Sequence, residues 1–218
     1  MWAGTNPMSS QRIQALWSIY YNTRCPVVYI NHQSLRDWEK PEYPYHPAFD
    51  YLSDTHKSDY MRCYLMHHYG GGWTDVKHTS VDWRPYFDEL RRSSALGIGY
   101  QEIENGIPHI TGPLGSYLRE NYMENIGLCA FMFKRNSRLT QEWFTQLTTK
   151  LDEFLTALTK YPAVHPQDQL GLELPDKTKS LYPLSWAEIL GEIFHPIMHS
   201  HRTKILQRPI QPKFYGYR

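Results

Sequence analysis

The chain has 218 residues, a formal net charge of +1, and 41% hydrophobic and 15% aromatic residues. That length suits one sizeable core or two small ones, and aromatic residues at near-zero charge exclude a disordered chain. No basic run marks a nucleic-acid-binding arm, no stretch reaches the length of a membrane-spanning helix, and Cys25, Cys63 and Cys129 give neither a disulfide framework nor a CxxC zinc knuckle.

Met1-Trp2-Ala3-Gly4 reads as the tail of a strand entering a turn, as if trimmed or preceded by a short lead-in. Ser9 and Ser10 are candidate caps for a helix over 11–23, with Ile13, Leu16, Trp17 and Tyr20 as its apolar face. Val27–Ile30 has the pattern of a short buried strand. Residues 39–47 hold three prolines and read as a loop. A helix is expected over 57–69, ended by Gly70-Gly71-Gly72, because glycine supplies the left-handed turn of a helix C-terminus. Trp73–Val76 is expected as a brief strand, 84–92 as a helix, and 95–102 and 126–133 as strands. Ser137 is expected to cap a long amphipathic helix to about Lys160, with Trp143, Leu147, Leu151, Leu155 and Leu158 at helical spacing. Residues 161–180 read as loop, 186–193 as helix, and the tail from Pro209 as irregular. Helices alternating with short strands predict one α/β domain over 1–218 with a mostly parallel central sheet flanked by helices.

The chemistry concentrates just past the glycine corner. In α/β sheets ligands sit at the carboxyl ends of strands, and the expected 73–76 strand carries Asp75 there. A lone carboxylate can hold Mg²⁺ or Mn²⁺ whose other ligands are waters and substrate phosphates. Lys77 can touch the same phosphates as a point charge. Asp59 and Arg62 lie one helical turn apart and project to one side, the Arg suited to phosphate or sugar oxygens and the Asp to sugar hydroxyls. The alternative is structural: a surface ion pair between Asp59 and Arg62, a turn aspartate, and a solvated lysine.

Ser58-Asp59-x-x-Arg62, then Tyr69-Gly70-Gly71, then Asp75 resembles the donor signature of GT-A glycosyltransferases with a D-x-D motif. The resemblance is to the glycosyltransferase 32, capsular-polysaccharide-synthesis and clostridial glucosylating toxin group. It covers about twenty consecutive residues. Trp2-Ala3-Gly4 resembles the strand end in that group whose Trp packs on uracil, and the two motifs stand in the family's order. The resemblance implies a single GT-A, Rossmann-like domain, alone or as one module of a longer chain. It implies transfer of a sugar from a nucleotide donor, a UDP-sugar first, to a glycan or glycoprotein hydroxyl, with Mn²⁺ or Mg²⁺ as cofactor and retention favoured over inversion.

Position by position, Asp75 matches the first Asp of D-x-D, contacting metal and nucleotide. Asp59 and Arg62 would hold the sugar, with Gly71 and Gly72 beside the donor. Trp2, with Ala3 and Gly4, would meet the base. Lys77 stands where the second, metal-binding Asp belongs, a departure that some capsular relatives share. That leaves three options: another metal ligand, a lysine that supplies the metal's charge, or lost activity. By the same resemblance His195 is the first candidate for a further metal ligand and His199 the second. Asp168 or Gln169, in His165-Pro166-Gln167-Asp168-Gln169, would face the acceptor or the reacting sugar. Asn125 would line the sugar pocket.

Each of these also has a bland reading. Phe194-His195-Pro196 can be a packing turn, Asp168 a helix cap, and Asn125 a turn residue. The spacing of His195, His199 and His201 admits zinc, but the helical H-E-x-x-H is absent. The rival functions are a non-catalytic nucleotide-sugar-binding module, a zinc hydrolase and an aromatic-rich interaction domain. The chain is expected in the cytosol or as a soluble domain of a larger protein, of microbial or viral origin.

Overall fold

The structure is a computed structural model that describes Met1 and residues 4–216. Among the described residues six α-helices and four strands alternate. Serine caps open three of the helices: α1 (Ser10–Asn22), α2 (Asp54–His68) and α5 (Arg138–Lys160). In each, the cap hydroxyl of Ser9, Ser53 or Ser137 accepts the amide of the third residue on, satisfying a donor with no partner in the helix. The other helices are α3 (Arg84–Arg92), α4 (Gly112–Glu120) and α6 (Gly191–Ser200).

The strands are β1 (Gly71–Thr74), β2 (Gly97–Gln101), β3 (Ile126–Phe133) and β4 (Ile205–Gln207), in the order β1-β3-β2-β4. Both pairs made by β3 are antiparallel, and β2–β4 is parallel. The sheet is therefore mixed, which corrects the expectation of a mostly parallel one. Apolar runs such as IGLCAFMF report burial on both faces, not strand direction. Along β3, Phe131 and Phe133 face one core with Trp143, Leu147 and Phe194, while Ala130 and Met132 face a second with Ile98, Leu90 and Ile210. Helices α2, α5 and α6 cover the first face, and α3 the second.

Several local expectations shift. Strand β1 begins two residues early, so Asp75 follows the strand instead of sitting in it. Val27–Ile30 pairs with no strand among the described residues; it lines an apolar cleft beside β1. In α1 the buried residues are Ala15, Ser18 and Ile19, while Ile13, Trp17 and Tyr20 are exposed. Residues 186–190 form turns, and the helix lies over 191–200 with Pro196 inside it, carried by the buried face of Ile193, Phe194, Ile197 and Met198. Helix α4 is hidden in sequence by Gly112, Pro113 and Gly115. Gly115 is needed for close approach, because a Cβ there would lie 1.8 Å from the Ile110 carbonyl oxygen.

One contact ties the sheet to the corner at Asp75. The Tyr100 ring on β2 lies against Gly127 on β3, where a Cβ would come within 1.9 Å of Tyr100 Cζ. The Tyr100 hydroxyl then accepts the Cys129 amide at 3.3 Å. Gly127→Ala is expected to overpack this contact and cost about 1–3 kcal/mol in urea denaturation. A loss within ~0.5 kcal/mol, the usual range for a surface site, would show that Tyr100 moves aside freely.

Candidate functional site

Helix α2 ends where the amides of Tyr69 and Gly70 both donate to the Leu65 carbonyl. Gly70 (φ 69°) and Gly71 (φ 95°) turn the chain into β1 through left-handed backbone. The register pairs Thr74 with Ala130, and the ladder continues one step further, the Asp75 amide donating to the Cys129 carbonyl at 2.8 Å. The Lys77 amide then donates to the Asp75 carbonyl at 2.7 Å, a tight turn that folds the lysine back over the aspartate.

The side chains close a buried knot. Lys77 Nζ donates to Asp75 Oδ2 at 2.7 Å, and Trp73 Nε1 donates to Asp75 Oδ1 at 3.1 Å. Arg62 reaches in from α2. Its Nη2 lies 3.1 Å from Asp59 Oδ1 and 3.6 Å from Asp75 Oδ1, and its Nη1 donates to the Leu128 carbonyl at 2.8 Å. Arg62 Nε is buried with no hydrogen-bond partner. Lys77 also approaches Cys129 Sγ at 2.9 Å. The Asp59–Arg62 pair is thus real but buried, with side-chain exposures of 4% and 8%, so it is not the surface pair of the structural alternative. Asp75 is the most open of these acids, at 22%.

The two carboxyls are pushed apart. Burial raises Asp59 to about 7; Arg62 opposes the shift and the Asp75 charge adds to it. Burial would also raise Asp75, but Arg62 and Lys77 outweigh it and hold that carboxyl well below the usual range. Burial is the largest single influence on Lys77 and would lower it, but the Asp75 charge, Cys129 and the hydrogen bonds to both together raise it. Burial and the Asp75 charge push the Cys129 thiol up to about 12, with Lys77 opposing, so it is no nucleophile at neutral pH.

A cleft of about 220 Å³ adjoins the knot. Its walls come from α1, residues 25–30, α2 and β1, and include Leu16, Tyr29, Trp38 and Trp73. Thr74 and Val76, the neighbours of Asp75, also line it. Arg12 of α1 donates to the Val76 carbonyl at 2.6 Å and fastens this wall to the corner.

The other expected site residues lie as follows. Trp2 and Ala3 are outside the described residues. Gly4 packs against Asp54 at the start of α2, where a Cβ would come within 2.4 Å of Oδ2. Gly71 and Gly72 open β1. Asn125 precedes β3 and is buried, with both side-chain amide atoms unpartnered. Asp168 is fully buried and its Oδ2 accepts the Val164 amide at 2.9 Å, which closes its own loop. That loop docks on α2 through Thr55, whose amide donates to the Pro166 carbonyl. Gln169 follows, half-buried, its carbonyl accepting the Leu172 amide.

The expected metal set is not brought together. Asp75 is in the knot. His195 is fully buried 3.6 Å from Glu102, both ring nitrogens unpartnered, and burial lowers it to about 3. His199 lies beside Glu124 and Tyr117. Among the described residues no group of three or more His, Cys, Asp or Glu could hold a metal ion.

Two parts of the neighbourhood escaped the sequence reading. Cys129 meets Lys77 only through the β1–β3 register. Glu102, at the end of the predicted 95–102 strand, is buried and raised to about 6 by burial, against the Ile103 amide it accepts. No protein-family model, curated protein or solved structure matches this chain.

The Asp59 shift has a sign that can be measured. Its folded value lies above the ordinary ~3.9 of an unfolded Asp. Its contribution to stability is therefore full at low pH and is lost as pH rises through about 7. In denaturation at several pH values, wild type is expected to lose stability relative to Asp59→Asn between pH ~4 and ~7. A difference that stays constant with pH would mean that Asp59 is ionised throughout.

Proposed function

We propose that this chain is a glycosyltransferase of GT-A type that moves a sugar from a nucleotide donor, a UDP-sugar first, to a glycan hydroxyl. The observation that carries the reading is the buried Asp59–Arg62–Asp75–Lys77 knot, next in the chain to Trp73, Thr74 and Val76, which line an apolar cleft. The cleft suits a flat nucleobase among Tyr29, Trp38 and Trp73, and the knot suits the diphosphate and sugar beside it. The S-D-x-x-R, Y-G-G and Asp75 resemblance supports the same assignment.

The chemistry asks the protein mainly for charge. When the bond between the anomeric carbon and the donor oxygen breaks, negative charge develops on the departing diphosphate. Lys77 and Arg62, fixed beforehand by Asp75 and the Leu128 carbonyl, would stabilise it without reorganising. Asp59 would accept or donate a hydrogen bond at a sugar hydroxyl, its burial keeping it close to titration at neutral pH. The resemblance brings Mn²⁺ or Mg²⁺ with it. The described residues fit such an ion poorly: Asp75 is the one expected ligand at the corner, and its oxygens already face Lys77, Trp73 and Arg62. No step is routed through a metal here.

The Lys77 contact favours one second reading, a donor-binding module without turnover. Donor hydrolysis over UDP-, GDP- and TDP-sugars, with Mn²⁺, Mg²⁺ or EDTA, separates the two. Release of free nucleoside diphosphate from one donor is expected. Donor binding without release would support the binding module, and binding of no donor would remove both readings. Asp75→Ala is expected to lower turnover by at least about 100-fold, since Lys77 and Arg62 lose the anchor that orients them. Full activity in a folded Asp75→Ala protein would dissociate the corner from catalysis.

A further inference from the structure

We infer that the outward face of α1 is a binding platform for a neutral glycan, formed by Trp17, Tyr20 and Tyr21. None of the three lines the cleft, so the inference goes beyond the donor reading. Under that reading the bound glycan is the acceptor, held by sugars other than the one that reacts.

Helix α1 turns Ala15, Ser18 and Ile19 inward and leaves its larger apolar stripe on the surface. Ile13, Trp17, Tyr20 and Tyr21 fall at i, i+4, i+7 and i+8, so they share a face. They are 45, 55, 38 and 72% exposed. Trp17 packs on both tyrosines: its ring centroid lies 5.9 Å from Tyr21 at an interplanar angle of 24°, and 6.0 Å from Tyr20 at 50°. These contacts restrict the rings before a ligand arrives, which lowers the entropy cost of binding. A contiguous exposed apolar patch of this kind marks a binding surface.

Charge and area select the occupant. Anionic lipid and nucleic acid are met by Lys and Arg beside the apolar or aromatic groups. Arg12 is the one charged residue of α1, and its guanidinium donates to the Val76 carbonyl at 2.6 Å. The three rings expose roughly 330 Å², taking ~200 Å² per ring, against about 800 Å² for one side of a stable protein interface. A small neutral ligand matches that area, and a folded partner or a second copy does not. A pyranose has the complementary chemistry. Its C–H bonds form an apolar face that packs on a ring, and its hydroxyls pair with polar groups at the edge. Here those groups are the two phenols and the exposed Gln14, one turn before Trp17. The platform also ends beside the cleft: burial, and then the nearby Tyr20, raise the hydroxyl of Tyr29, which is a cleft residue.

The test is binding of the full chain to an array of immobilised neutral oligosaccharides of hexose and N-acetylhexosamine units, followed by calorimetry on the best binder. Wild type is expected to bind at least one. Trp17→Ala and Tyr21→Ala are each expected to weaken that binding about tenfold or more, the scale of a lost aromatic contact. Trp17→Phe, which keeps a ring, is expected to retain most of it. Urea denaturation midpoints of the variants are expected to match wild type, because these side chains are exposed. Glycan binding that both alanine variants leave intact would overturn the inference, as would binding to no glycan. Binding to phosphatidylglycerol vesicles, or self-association, that the variants abolish in the absence of any glycan binding would assign the face to a membrane or a second copy and also overturn it. Donor hydrolysis is read separately as release of nucleoside diphosphate, so neither proposal falls with the other.

Discussion

The Asp75 amide donates to the Cys129 carbonyl, and the candidate site hangs on that extra rung of the β1–β3 ladder. The rung carries the strand direction one residue beyond Thr74 and fixes the aspartate against β3. The turn at Lys77 starts from that fixed point. Arg62 is fastened to the same strand through the Leu128 carbonyl, one residue away. Two cations and one carboxylate, from α2 and from the turn after β1, thus share a single rigid support. The support is itself braced by Tyr100, which lies on Gly127 and accepts the Cys129 amide.

Burial sets the electrostatic character of this knot. Ions removed from water lose solvation that only a close partner restores. Asp75 has Lys77, Arg62 and the Trp73 indole, and stays ionised. Among the described residues Asp59 has Arg62 as its ion-pair partner, shared with Asp75, and burial prevails. Two chemically similar acids therefore have opposite properties a helix turn from one another's partners. One serves as a permanent anchor for positive charge, and the other exchanges a proton near neutral pH.

The caps at Ser9 and Ser137, the long α5 and the strand over 126–133 were legible because each is specified locally, by a side chain within a few residues or by a sustained period, whereas the Ser53 cap was missed and α2 was expected to start at 57. The three-glycine corner was legible for the same reason. Helix α4 was not, since its glycines and proline read as breakers and only the approach of Ile110 explains Gly115. Strand β4 is three residues long and exists only because β2 offers it an edge. The apolar face assigned to α1 failed because periodicity locates a stripe without saying what will cover it, and Ala15 and Ile19 are the residues turned inward.

The sequence by itself singled out Asp59, Arg62, Asp75 and Lys77 as a candidate group, across a helix end, a glycine corner and a short strand within 20 residues, and left open a surface ion pair, a turn aspartate and a solvated lysine as the alternative. It also determined that a lysine stands where a second carboxylate was expected. Only the tertiary structure decided what that lysine does. Whether an ammonium pairs with its neighbour or reaches solvent depends on burial, and here Cys129 of β3, with Phe214 of the tail 5.6 Å away, closes over it. The same holds for His195. Its spacing admits a metal ligand, but its position inside the α6 interface puts it against Glu102, away from any cluster of ligands among the described residues. Strand direction was likewise beyond local pattern, because antiparallel and parallel pairing differ in which distant segments meet, not in the residues that either segment contains.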